Sequence, residues 1–183
     1  MPISFETYAR VVQEDTDAQW ELVCGTLRQK PAMTIEHDGA DWELAAQLAG
    51  QVDQRQYLIS QNARLRVATG SYYIPDVCVI PVTLVRRIRR ERPRELAVLD
   101  ESLPLVVEIW SPSTGTYDIE TKLPGYRERG DAEIWRLHPY DRTLTAWRRQ
   151  PDGSYVEQTF AGDAVVPLAA IRGARVDLAA VFD

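Results

Sequence analysis

Apolar residues recur at helical spacing near the start of the chain. Phe5, Tyr8, Ala9 and Val12 form one face of a short first helix, with Ser4 as its N-cap. Residues 19–28 read as two short strands that turn at Cys24-Gly25. A second helix is predicted over 41–55, capped by Asp38 or Asp41. Its apolar stripe of Trp42, Ala45, Ala46, Leu48, Ala49 and Val52 faces the core. From Ala63 the period changes to two, as Ala63, Leu65 and Val67 alternate with Arg64, Arg66 and Ala68. Gly70 marks a turn. Residues 72–80, YYIPDVCVI, then read as one strand apolar on both faces, and Pro75 within it indicates an edge, a bulge or an irregular start.

Residues 104–110 follow the same pattern more strongly. Leu105-Val106-Val107 and Ile109-Trp110 enclose Glu108 in a strand buried on both faces. An ionised carboxylate there is costly unless an arginine, a set of hydrogen-bond donors or a metal ion pairs with it. A helix is expected over about 116–129, ending at Gly130, with a kink or a start near Pro124. Strands at 132–137, 143–148 and 154–160 are separated by turns rich in Pro, Asp and Gly. A short strand at 164–168 and the segment VDLAAVF complete the chain. There are no repeats and no linker. The pattern is that of one α/β domain over 1–183, with helices interleaved early and a strand meander late.

A length of 183 residues suits one good-sized core and is short for two. No run approaches the roughly 20 apolar residues that span a bilayer, and the first residues lack the pattern of a signal peptide. Cys24 and Cys78 are far apart, each among apolar neighbours, and read as buried thiols. A cytoplasmic protein without membrane contact is the expectation. The net charge of −6 argues against a whole-surface nucleic-acid binder. The charge is uneven, however, since RRIRRERPR at 86–94 holds six arginines in nine positions. This segment is either a solvated loop or a phosphate-contacting arm in which Arg86, Arg87, Arg89 and Arg90 bind nucleic acid.

Candidate chemistry gathers on two strands and a helix. If the strands of Asp76 and Glu108 are neighbours, the two carboxylates converge. Two carboxylates plus water are the usual protein share of a Mg²⁺ site. Lys122, on the helix that follows, could bring an ammonium to the same point. Asp118, Lys122 and Tyr126 are four residues apart, so they share one helix face if the helix is regular there. The plainer reading makes Asp76 and Glu108 buried acids paired with arginines, and Lys122 a solvated helix residue.

Several ordered motifs run almost end to end: WELVCGTL, His37, Tyr73-Ile74-Pro75-Asp76-Val77, VVEIWSPST, the Asp118/Lys122/Tyr126 spacing, AEIWRLHP and VDLAAVF. Together they resemble the Uma-two family of endonucleases, in the PD-(D/E)XK nuclease superfamily. The resemblance implies an α/β restriction-endonuclease-like core, with a mixed central sheet flanked by helices. It also implies a Mg²⁺ or Mn²⁺ site made by Asp76 and Glu108. The superfamily lysine lies two positions after the second acid, which is Trp110 here and cannot serve. The family's relocated lysine maps to Lys122. Glu21 and His37 match further positions near the site, with Glu21 either an added metal or water ligand or a strand-surface acid.

The leading expectation is metal-dependent hydrolysis of DNA phosphodiester bonds, with Asp76, Glu108 and Lys122 catalytic. The alternatives are a catalytically silent nucleic-acid- or partner-binding protein on the same fold, and a hydrolase of another phosphorylated substrate. A homodimer would suit duplex cleavage. Trp135, Trp147 and Tyr155 are candidates for its interface or for the core.

Overall fold

The computed structural model describes residues 2–67 and 70–183. Helix α1 (Phe5–Glu14) starts where expected, with Ser4 Oγ accepting from Thr7 N–H at 3.3 Å. Strands β1 (Trp20–Val23) and β2 (Thr26–Gln29) form a hairpin. Both turn residues are left-handed, Cys24 at φ 48° and Gly25 at φ 79°, which matches the twist of a two-residue hairpin turn. Cys24 is exposed at this turn, so the expectation that both thiols are buried holds only for Cys78.

Helix α2 runs over Ile35–Gln51 rather than 41–55, because Thr34 caps it and accepts from His37 N–H at 3.3 Å. Its buried face is His37, Ala40, Leu44 and Leu48. This rotates the expected stripe, leaving Trp42 68% exposed. Strand β3 (Tyr57–Ser60) follows, then β4 (Arg64–Val67), where Leu65 and Val67 are buried as the alternation predicts. Ala68, expected at the end of that alternation, lies outside the described residues.

The single strand expected at 72–80 is two strands in different sheets. Strand β5 (Ser71–Tyr73) pairs with β4, whereas β6 (Val77–Pro81) pairs with a strand further along the chain. Ile74-Pro75-Asp76 is the junction. Proline has no N–H for a ladder, so pairing lapses there and the chain crosses between layers. The arginine-rich stretch is likewise no loop. It lies mostly in helix α3 (Val82–Glu91), because Leu84 and Ile88, four residues apart, bury one face.

Strands β7 (Val98–Leu99) and β8 (Leu105–Ile109) lead to a helical segment in three parts. These are α4 (Gly115–Tyr117), a π-helical turn (Asp118–Lys122) and α5 (Leu123–Arg129). Pro124 falls in the first turn of α5, directly after the π-helical turn, and Gly130 ends the helix at φ 80°. The late meander is present as β9 (Glu133–His138), β10 (Thr143–Arg149) and β11 (Tyr155–Ala161). The pair β12 (Val165–Pro167) and β13 (Arg175–Asp177) and helix α6 (Leu178–Val181) close the chain.

The larger sheet has the order β11-β10-β9-β8-β6-β3 and is mixed, since β8 and β9 run parallel and its other pairs antiparallel. A second sheet has the order β2-β1-β5-β4-β7. Helices α2 and α6, with β12 and β13, pack on one face of the larger sheet through Leu44, Leu48, Val79, Val107 and Val176. The other face packs on α3, α5 and the second sheet through Leu65, Tyr73, Cys78, Leu84 and Val106. Trp135 and Trp147 are both buried in these cores, so neither is available for a dimer interface, and Tyr155 is half-buried. No helix among the described residues is long and apolar enough to cross a membrane.

Candidate active site

The site lies where the junction Ile74-Pro75-Asp76 passes from one sheet to the other. In the antiparallel pair β6/β8, Val77 is opposite Val107, so one further step brings Asp76 opposite Glu108. The backbone fixes this approach. Asp76 N–H donates to Val107 O at 3.1 Å, and Ile109 N–H donates to Asp76 Oδ2 at 2.7 Å. Both carboxylates are 5% exposed.

Lys122 comes from the helical segment. Its Nζ is 3.1 Å from both carboxylate oxygens of Glu108 and 2.9 Å from Glu21 Oε1. The π turn sets this position, with Leu123 N–H donating five residues back to Asp118 O. Asp118, Lys122 and Tyr126 are all buried on the inward side, as their spacing predicts. Tyr126 donates its hydroxyl to Glu108 Oε1 at 2.5 Å. Burial works against the Lys122 charge, but Glu108 and Glu21 outweigh it and raise its pKa well above the usual lysine range.

Glu21 is no strand-surface acid, being 1% exposed. It accepts from Ile74 N–H at 2.7 Å and from the Tyr117 hydroxyl at 3.0 Å. His37 is also buried beside the site, with Nε2 3.3 Å from Asp76 Oδ2. Asp118 Oδ2 is buried and has no hydrogen-bond partner among the described residues. Burial pushes the Asp118 carboxyl up to about 6, against the pull of Lys122 and with the repulsion of Asp76.

Two side chains at the site, Tyr117 and Lys30, stand outside the motifs of the sequence. Lys30, just after β2, donates to Asp76 Oδ1 at 2.8 Å and to Ile74 O at 3.1 Å. Burial opposes the Asp76 charge, yet Lys30 and His37 outweigh it and hold the carboxyl well below its usual range. Nothing local marks Lys30, but the chain has only two lysines, Lys30 and Lys122, and both are here. The arginines of α3 are not brought to this point. They lie beyond Pro81 at the other end of β6, and Arg86 and Arg89 line a different cavity with Tyr57, Leu58 and Val85. Arg87 is engaged by Glu91, Asp100 and Glu101, while Arg86, Arg89 and Arg90 are exposed.

The donor chemistry fits a hard divalent cation. Four buried carboxylates, Glu21, Asp76, Glu108 and Asp118, face two ammonium groups. The set is therefore formally anionic, and one acid oxygen is unpartnered. Among the described residues no three acid, histidine or cysteine side chains converge as a preformed metal cage. The two lysines occupy oxygens of Asp76, Glu21 and Glu108, so a cation bound at those oxygens would have to displace an ammonium.

A crystal structure from Anabaena variabilis ATCC 29413, described as a putative nuclease belonging to DUF820, shares this fold with a TM-score of 0.78. The alignment covers 99% of this chain and 98% of that one, at 21% sequence identity. The curated proteins gave no match. A family model described as "Uma2: Putative restriction endonuclease" matches residues 5–179, nearly the whole length. The carboxylates and lysines just described lie inside that match, and the chain belongs to the Uma2 family.

Proposed function

We propose that the protein is a divalent-metal-dependent endonuclease that hydrolyses phosphodiester bonds of DNA. The observation that carries this reading is the convergence of Asp76 and Glu108 from paired strands, with the buried ammonium of Lys122 between Glu108 and Glu21. The description of the family points to the same reaction class.

Asp76 and Glu108 would hold Mg²⁺ or Mn²⁺. When bound, such a cation acts as a Lewis acid on a phosphoryl oxygen and lowers the pKa of water. Ile109 N–H orients Asp76, and the Tyr126 hydroxyl orients Glu108, so neither carboxylate has to be ordered at the moment of binding. Glu21 and Glu108 flank the Lys122 ammonium and favour its charged form, so it serves as a positive charge rather than a base. It can orient the attacking water and stabilise the charge of a pentavalent phosphorus. Glu21 anchors Lys122 and ties it to the Ile74 backbone.

A second reading has one observation in its favour. Lys30 already neutralises Asp76, which suits a binding protein that needs no metal. Calorimetry with Mn²⁺ on the wild type, Asp76→Asn and Glu108→Gln separates the two. The nuclease reading expects binding that both substitutions abolish, and metal-dependent cleavage of DNA that they also abolish. Absence of Mn²⁺ binding by the wild type at millimolar metal, with DNA present, would leave the binding protein.

A further inference from the structure

Lys30 and Lys122 occupy similar positions in chemistry and different ones in space. Each sends an ammonium to a carboxylate of the site, and both approach the carbonyl of Ile74, at 3.1 and 3.4 Å. Lys122 is locked. Its side chain is 2% exposed, and Glu21 and Glu108 hold it. Lys30 is 12% exposed, makes one ion pair and lies in an irregular stretch between β2 and Pro31.

Two cavities meet at Lys30. On one side is a polar cleft of about 470 Å³ that opens to solvent. On the other is an inner pocket of about 10 Å³, close to one water-sized sphere, lined by Glu108, Asp118 and Lys122. Lys30 and Asp76 line both. The ammonium thus stands at the boundary, on an oxygen that a cation would need, with open space behind it. Asp17, Asp38 and Asp41 line the same cleft, so an entering phosphate needs a cation beside it, which the displaced ammonium supplies.

We infer that Lys30 is a positioning residue that reserves the cation site: its ammonium stands in for the metal on Asp76 and swings into the cleft, onto a substrate phosphate, when the metal enters. Metal and nucleic acid then bind with positive coupling. Each relieves the other of one competitor, because phosphate draws the ammonium off Asp76 and metal releases the ammonium to the phosphate. The coupling is reciprocal by linkage. This inference rests on the metal-site reading above and adds to it the order in which the site fills.

The test is Mn²⁺ calorimetry on the full chain, alone and with a short phosphorothioate DNA duplex that resists cleavage. For the wild type, the duplex should tighten Mn²⁺ binding about tenfold. Lys30→Met should bind Mn²⁺ alone at least tenfold more tightly than the wild type, and the duplex should add little. Lys30→Arg, which keeps the charge, should retain the coupling and covers the case in which the methionine variant fails to fold. Unchanged or weaker Mn²⁺ binding by a folded Lys30→Met, beside normal binding by the wild type, overturns the inference and leaves the metal site standing. No Mn²⁺ binding by either protein, with or without duplex, overturns both.

Discussion

Lys122 Nζ lies 3.1 Å from each carboxylate oxygen of Glu108, and the two side chains share an interior that water scarcely reaches. Removing one member of such a pair strands the other. Lys122→Met should therefore destabilise the protein by about 3–5 kcal/mol at neutral pH, read as a lower urea midpoint. The variant leaves Glu21 and Glu108 without their shared ammonium, so it also makes a sharper prediction. Mn²⁺ should raise its melting temperature by more than it raises that of the wild type. An equal rise in both proteins would mean that the cation does not reach Glu108.

Gly115 opens the helical segment that carries Asp118 and Lys122. A β-carbon built there would lie 1.9 Å from Trp110 Nε1 and 2.4 Å from Trp110 Cδ1. The indole has little freedom to yield, since it stacks on His138 at 4.2 Å between ring centroids and meets Tyr140 edge-on. Gly115→Ala should thus destabilise by about 1–3 kcal/mol through overpacking. It should also weaken Mn²⁺ binding by moving the unpartnered Asp118 carboxylate that the segment carries. Full metal affinity in a destabilised variant would show that the helix start and the site move independently.

The same residues show what the sequence could disclose. The Ser4 cap, the hairpin at Cys24-Gly25 and the β9–β11 meander were legible, because local turn chemistry and alternation decide them. The path from Tyr72 to Ile80 was not. Two short strands and one long strand look alike when every position is buried, and only sheet pairing separates Tyr73 from Val77. Charge hid α3, whose arginines outnumber the buried Leu84 and Ile88. The convergence of Asp76 and Glu108 followed from the pattern only on condition that their strands were neighbours. Lys30 joins them from 46 positions away in the chain, through a contact that no local periodicity marks.

The two cysteines should differ in reactivity. Cys24 sits exposed at a hairpin turn, whereas Cys78 is buried in β6, where burial pushes its thiol well above the usual range. A thiol reagent such as a disulfide chromophore should label one cysteine quickly in the native protein and the second only on unfolding. Cys24→Ser should remove the fast phase. Rapid labelling of Cys78 would show that the β3 edge of the sheet opens at low free-energy cost.

Stability should fall in alkali through buried tyrosines. Burial raises the Tyr8 hydroxyl from an ordinary 10.0 to about 12, and it donates to Trp20 O at 2.8 Å. Burial likewise takes Tyr155 to about 12, and its hydroxyl donates to Asp131 O at 2.6 Å. The folded values exceed the unfolded ones, so the unfolded chain releases these protons first as pH rises. Their contribution is complete below about pH 10 and is lost as pH climbs toward 12. Tyrosinate absorbance should accordingly lag behind that of the denatured chain and then appear together with unfolding. Tyr8→Phe is expected to lower stability at neutral pH by about 0.5–1.5 kcal/mol through the lost hydrogen bond, and to flatten the alkaline decline. A decline of unchanged steepness in that variant would assign the alkaline limit to other groups, with Tyr117 and Tyr126, both raised by burial beside carboxylates, the next to substitute.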